Sequence, residues 1–119
     1  MIRSAGKHWL VEFYGAHALG DVRAIRRALR NAAAKSGATL LQVRLHHFGE
    51  GAGVTGVALL AESHISIHTW PERCYAAIDI FMCGRHCSPK KALESLRVDL
   101  QPARQKIRRI LRHLPGTRR

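Results

Sequence analysis

The sequence has no apolar run close to the roughly 20 residues that a membrane-spanning helix requires. Its first residues carry basic side chains, but no long apolar stretch follows them, so we expect no secretory signal peptide. Cysteines number only three, and a small, odd count argues against a disulfide framework and favours a reducing compartment. These absences predict a cytoplasmic protein that is not anchored in a membrane.

Acidic residues are also scarce, since Asp and Glu total eight against 20 Lys and Arg, and the net charge is +12. Eleven basic and two acidic residues follow Gly84, so most of this charge lies in the last third, including a basic C-terminal end at residues 102–119. Such a charge would attract nucleic acid or other acidic surfaces. No nucleic-acid motif accompanies it and few aromatic residues interrupt it, so a solvent-exposed surface is the favoured interpretation and nucleic-acid binding the weaker one.

The chain has 119 residues, of which 46% are hydrophobic, so we predict a single domain spanning residues 1–119. Alternating or continuous apolar residues predict five strands, at 8–14, 39–48, 54–61, 63–70 and 75–82. Asp21 and Ser88–Pro89 are helix start signals, and apolar residues at helical spacing follow each of them. This order favours an α+β two-layer sandwich, with a mainly antiparallel sheet and two helices packed on one face.

Residues 61–72 form the least ordinary part of the sequence. A glutamate and a serine end an apolar run, and an alternating strand follows until Pro71 stops the pairing. Alternation places two sets of side chains on opposite faces of this strand, namely Ser63, Ile65, Ile67 and Thr69, and His64, Ser66, His68 and Trp70. The second set is unusual for a core, but a half-buried edge strand with polar residues facing water fits the spacing alone equally well.

Three motifs carry a resemblance to a known family: Glu62-Ser63-His64, His68-Thr69-Trp70-Pro71-Glu72 and Cys83-Gly84. With Gly6-Lys7-His8 and residues 36–39, 53–57 and 75–84, they resemble the short prokaryotic S-adenosylmethionine decarboxylase proenzymes over nearly the whole chain. The resemblance implies a closing strand at residues 104–114, where the spacing of the apolar residues by itself also fits a helix. It implies as well a homodimer, in which the sheet face without helices meets a partner.

Decarboxylation of an α-amino acid requires an electron sink, and none of the five lysines lies in a pyridoxal phosphate motif. The resemblance implies instead a pyruvoyl cofactor derived from Ser63. In this chemistry Ser63 Oγ attacks the carbonyl of Glu62, and β-elimination of the resulting ester leaves the pyruvoyl group. The products would be a β chain of residues 1–62 and an α chain of residues 63–119. The pyruvoyl group would form a Schiff base with the amine of S-adenosylmethionine and release CO2, for spermidine biosynthesis.

The resemblance also implies roles for the residues of the processing and decarboxylation steps. His68 would abstract the proton for the elimination, and Thr55 would supply the hydroxyl that other members take from a serine. Threonine keeps this hydroxyl but adds a methyl group on a stiffer side chain. Cys83 would donate the proton that returns to the substrate, which suits a thiol with a pKa of about 8.5. An unactivated serine requires a fixed geometry, so we expect a strained backbone between Glu62 and Ser63.

Substrate binding would fall to Trp70 and Glu72, which resemble the aromatic residue at the adenine and the carboxylate at the ribose hydroxyls. The family carries a second aromatic residue for the adenine, and ungapped counting places Gly49 at that position. Phe48 is one residue away and would substitute if the loop is shifted.

Other interpretations remain open at this stage. A glycine at the second aromatic position is compatible with a pyruvoyl-dependent arginine or ornithine decarboxylase of the same fold, which needs no adenine clamp. Cys83-x-x-His86-Cys87 offers soft ligands but lacks an established zinc spacing, so we predict no metal. A third hypothesis is an uncleaved, non-enzymatic basic module that binds nucleic acid.

Overall fold

The computed structural model describes residues 4–116. The chain forms β1 (Ser4–Tyr14), α1 (Val22–Ser36), β2 (Leu40–His47), β3 (Val54–Leu60), β4 (Ser63–Trp70), β5 (Tyr75–Met82), α2 (Pro89–Leu100) and β6 (Arg104–His113). A 3₁₀ turn at Pro71–Arg73 joins β4 to β5. Every predicted strand and helix is present, although β1 begins four residues before the predicted His8. Arg118 and Arg119 of the basic end lie outside the described residues.

All six strands form one antiparallel sheet in the order β2-β3-β4-β5-β1-β6. Both helices pack on one face of it, α1 over β2 and β3 and α2 over β5. The buried core lies between these layers, and its largest side chains include Phe13, Ile25, Leu29, Ile65, Ile67, Ile80 and Leu96. This architecture confirms the predicted two-layer α+β sandwich. We call the opposite side of the sheet the open face.

Both helices begin at the residues that their sequence signals predicted. The Asp21 side chain accepts hydrogen bonds from the backbone N–H groups of Arg23 and Ala24, and Gly37 ends α1 with a φ of 86°. The Ser88 hydroxyl accepts a bond from the N–H of Lys91, with proline at the first position of α2. These caps set the first residue of each helix and the last residue of α1.

The segment after α2 is a strand, as the resemblance implied, and not a helix. β6 pairs with β1 from Tyr14–Arg104 to Ser4–His113, with one irregularity near Gly6. This pairing satisfies the outer backbone groups of β1, which a helix would leave exposed to solvent. The basic side chains of β6 then lie at an outer edge of the sheet, where charge discourages pairing with other chains. In the described part of the chain, no helix is long and apolar enough to cross a membrane.

Candidate active site

Glu62 and Ser63 lie at the hairpin turn between β3 and β4. Leu60 pairs with Ser63, so the connection consists of only Ala61 and Glu62. Glu62 has a φ of 63°, in the left-handed region that costs a residue with a side chain about 1–2 kcal/mol. The predicted strain is therefore present on the amino side of the Glu62–Ser63 peptide bond. Glu62 is exposed, so this bond lies at the rim of the sheet.

Ser63 begins β4 and is held by the residue that follows β5. Its side chain is only 8% exposed, and its Oγ accepts a hydrogen bond of 3.0 Å from the backbone N–H of Cys83. Cys83 is half-buried and its thiol is free. The structure thus brings together two of the predicted catalytic residues, which are 20 positions apart in the sequence. We call this group, Glu62, Ser63 and Cys83, the serine end.

His68 lies near the other end of β4, on the open face. Its Nδ1 is 3.1 Å from the Oγ1 of Thr55, its register partner on β3. The threonine hydroxyl therefore lies within hydrogen-bond distance of the histidine that is predicted to act in processing. Because Nδ1 is engaged, Nε2 is the nitrogen left to exchange a proton with another group.

A cleft of about 560 Å³ adjoins this histidine. Its lining includes all the predicted substrate-binding residues together with the Thr55–His68 pair, namely Phe48, Thr55, His68, Trp70 and Glu72. The Phe48 ring is 61% exposed and the Trp70 ring 40% exposed, so both present apolar surface to a ligand. Gly49 does not line the cleft, and the second aromatic residue of the cleft, in addition to Trp70, is Phe48. We call this group the histidine end.

The serine end and the histidine end are separated within the chain. Ser63 and His68 are five positions apart on extended β4, which corresponds to about 16 Å. Ser63 faces the helices with the buried residues of β4, whereas His68 is exposed on the open face. His68 of this chain therefore does not reach Ser63 of the same chain.

Behind Trp70 lies a network that the sequence did not single out. The Tyr75 ring packs against the Trp70 ring at 5.3 Å between centroids. Glu12 Oε1 accepts a hydrogen bond of 2.9 Å from the Tyr75 hydroxyl and one of 3.1 Å from the Tyr14 hydroxyl. Burial and then the bond to Glu12 raise the pKa of Tyr75 to about 12, so its phenol stays protonated at neutral pH. The one signal in the sequence that could have indicated this contact is the position of Tyr75 next to Trp70 across the predicted β4–β5 hairpin.

A second polar group occupies the open face over β1, β4 and β5. Asp79 accepts from Ser66 and is bound by the Nε2 atoms of His8 at 2.9 Å and His64 at 3.1 Å. Burial opposes ionisation of Asp79, but the bonds from Ser66, His8 and His64 outweigh it and hold the pKa of this carboxyl below its usual value. The guanidinium of Arg112 lies 3.2 Å from Nδ1 of His8.

The spacing of His8, His64 and Asp79 also resembles that of metal ligands, since their donor atoms lie within 4.8 Å of one another. Arg112 can only donate to Nδ1 of His8, which leaves the proton of this ring on the Nε2 that faces Asp79. The arrangement is therefore a complete hydrogen-bond network. Among residues 4–116 no group that includes a cysteine has such spacing.

Comparisons with known proteins agree on one family. Its profile, S-adenosylmethionine decarboxylase, matches residues 7–113. Proteins named S-adenosylmethionine decarboxylase proenzyme are similar to this chain, with 49% identity in Synechococcus sp. (strain WH7803), covering 93% of this chain and 88% of the relative. The corresponding protein of Thermomicrobium roseum is 40% identical, covering 93% and 96%.

Among solved structures, the adenosylmethionine decarboxylase of Aquifex aeolicus VF5 superimposes with a TM-score of 0.83 and 33% identity. The match covers 94% of this chain and 93% of that one. The family profile, over residues 7–113, spans both the Glu62–Ser63 turn and the residues that line the cleft.

Proposed function

The chain belongs to the S-adenosylmethionine decarboxylase family, and on this premise we propose that it cleaves itself at Glu62–Ser63 and then decarboxylates S-adenosylmethionine. The observation that carries the proposal is the cleft at the histidine end. It combines two exposed aromatic rings and a carboxylate with a hydrogen-bonded threonine–histidine pair. These are the groups needed to bind a nucleoside and to move a proton.

The turn between β3 and β4 supports self-cleavage. The left-handed conformation of Glu62 stores strain that opening of the peptide bond releases. The hydrogen bond from the Cys83 N–H restricts rotation of the Ser63 hydroxyl, which reduces the number of orientations from which Oγ must attack the preceding carbonyl. Attack forms the Glu62–Ser63 ester and breaks the amide bond, and elimination then separates the β chain (1–62) from the α chain (63–119). Addition of water and loss of ammonia leave a pyruvoyl group at position 63.

The residues around position 63 fit such a group. Ser63 is largely shielded from solvent, and its Oγ accepts a hydrogen bond from the backbone N–H of Cys83. The pyruvoyl group supplies the electron sink for the loss of CO2. Cys83 follows directly on the strand that flanks position 63, and we assign to its thiol the return of a proton to the substrate carbon.

One chain does not contain a complete site, so we propose a homodimer in which two chains share each site. The serine end of one chain would lie beside the histidine end of its partner, and a twofold axis would create two identical sites. Ala61 and Glu62, which form the turn before Ser63, are both exposed and permit this approach. His68 of the partner subunit would then take the proton from the α-carbon of position 63 during elimination.

The shape of the cleft favours S-adenosylmethionine over arginine or ornithine. Phe48 and Trp70 both present exposed ring surface at the same opening, which suits a planar adenine. Glu72 lies in the same lining and offers an acceptor for the ribose hydroxyls. Ornithine has no planar group, and the planar guanidinium of arginine covers less ring surface than an adenine does. We assign the product to spermidine synthesis as an aminopropyl donor, in a reducing cytoplasm that keeps the Cys83 thiol free.

Release of CO2 from carboxyl-labelled S-adenosylmethionine, arginine and ornithine tests this assignment. We expect release from S-adenosylmethionine alone and none from a Ser63→Ala variant, which lacks the group that accepts the electrons. Release of CO2 from arginine or ornithine and not from S-adenosylmethionine would overturn the assignment of the substrate. Activity of Ser63→Ala would overturn the assignment of a pyruvoyl cofactor derived from Ser63.

A further inference from the structure

A row of side chains crosses four strands of the open face behind the cleft. It runs from Trp70 on β4 through Tyr75 on β5 and Tyr14 on β1 to Arg104 on β6, and each is the register partner of the next. The rings of Trp70 and Tyr75 lie 5.3 Å apart and those of Tyr75 and Tyr14 5.5 Å apart. The Arg104 guanidinium lies 4.6 Å from the centre of the Tyr14 ring. We call Trp70, Tyr75 and Tyr14 the aromatic row.

Glu12 ties this row to the backbone of a central strand. One of its carboxylate oxygens accepts from both tyrosine hydroxyls, at 2.9 Å for Tyr75 and 3.1 Å for Tyr14. Hydrogen bonds to an ionised acceptor are stronger than bonds between neutral groups. Tyr75 is therefore held at its ring by stacking and at its hydroxyl by a charged acceptor.

Trp70 has no comparable support of its own. Its ring is 40% exposed, and no hydrogen bond of its indole N–H is present among residues 4–116. The Tyr75 ring lies nearer to it than the His68 ring, which is 6.4 Å away. The orientation of Trp70 at the cleft therefore depends on Tyr75.

We propose that Tyr75 is a positioning residue for substrate binding, which holds Trp70 in the orientation that receives the adenosyl group. This inference rests on the proposed function and specifies which residue outside the cleft sets the affinity of the cleft for the substrate. We assign Tyr75 no part in proton transfer, because it is not among the residues that line the cleft. Its loss should raise KM and leave kcat and self-cleavage unchanged, since neither step involves Trp70.

Two variants separate the ring from the hydroxyl. Tyr75→Leu removes both, and we expect KM for S-adenosylmethionine to rise about tenfold, the effect of one lost aromatic contact, with kcat within about twofold. Tyr75→Phe keeps the ring and loses the anchor on Glu12, so a smaller rise in KM is expected. Tyr14→Leu removes an equal ring one strand further from the cleft and should raise KM less than Tyr75→Leu does.

The readouts distinguish this inference from the function on which it rests. Intact mass verifies that each variant folds and cleaves itself, and fluorescence titration with 5′-methylthioadenosine measures binding of the adenosyl group without turnover. If the unsubstituted enzyme fails to turn over S-adenosylmethionine, the proposed function is wrong. If it does, and Tyr75→Leu or Tyr75→Phe lowers kcat with KM unchanged, the positioning role is wrong. Unchanged KM in Tyr75→Leu, or an equal rise in Tyr14→Leu, would also overturn it.

Discussion

The separation of Ser63 from His68 leads to a prediction about mixed dimers. The two residues lie about 16 Å apart along β4 and on opposite faces, whereas proton transfer requires contact at about 3 Å. No rotation of either side chain closes a gap of this size. A Ser63→Ala chain and a His68→Ala chain should therefore each lack one half of a site and complement one another when they pair.

The assay is coexpression of both variants, followed by intact-mass analysis of the purified mixture. Neither variant alone should form a pyruvoyl α chain. In a dimer of the two, the intact Ser63 of one chain meets the intact His68 of the other, so one of the two sites is complete. With equal expression and random pairing, about half of the His68→Ala chains should carry the pyruvoyl group, and none of the Ser63→Ala chains.

Two results would refute this reasoning. If the mixture contains no more pyruvoyl α chain than its components, the sites are not shared between chains. If His68→Ala alone forms the pyruvoyl group at the normal rate, His68 is not the proton acceptor. Coexpression of two His68→Ala chains, one of which carries a second tag, controls for expression level.

Three further predictions concern single positions. The Cys83→Ala variant should still cleave itself, because its backbone N–H continues to bind Ser63 Oγ, but its kcat in the CO2 assay should fall about 100-fold or more. Cys74→Ala, at an exposed cysteine, is the matched control. Full turnover by Cys83→Ala would exclude the Cys83 thiol as the proton donor. Glu62→Gly should relieve the left-handed strain and, in a Ser63→Ala background, raise the free energy of unfolding by about 1 kcal/mol, so a lower denaturation midpoint would show that the turn is unstrained. Asp79 has a lowered pKa, so its ionised form stabilises the fold above about pH 3.9. This contribution to the free energy of unfolding is lost as pH falls through the pKa of the folded state. Unfolding curves of Asp79→Asn should lack that loss, and identical pH profiles of the variant and the unsubstituted protein would contradict the stabilising role of Asp79.

The sequence predicted the helices and strands well because their signals are local. Caps such as Asp21 and Ser88 act within one turn, and alternation along β4 reports directly which side chains are buried. The last strand was different, since the apolar spacing of residues 107–114 also fits a helix. Only its pairing with β1, about 100 positions earlier, decides between the two, and no local pattern contains that information.

The sequence predicted which residues belong to the candidate site, but only part of how they are arranged in space. The opposite orientations of Ser63 and His68 follow from their odd spacing on one strand, so their separation could be predicted from the pattern of β4. The contact between Cys83 and Ser63 and the bond between Glu12 and Tyr75 depend on strand order and register. Glu12 and Tyr75 are 63 positions apart, and neither residue resembles a catalytic motif by itself.

Self-cleavage is the step on which the whole account depends, and the mass of the purified, unsubstituted protein measures it directly. We predict two fragments, residues 1–62 and residues 63–119, the second lighter by one ammonia than a chain that begins with serine and reactive toward hydrazine. A single intact chain of 13.3 kDa, or a second fragment that begins with an ordinary serine, would contradict the account.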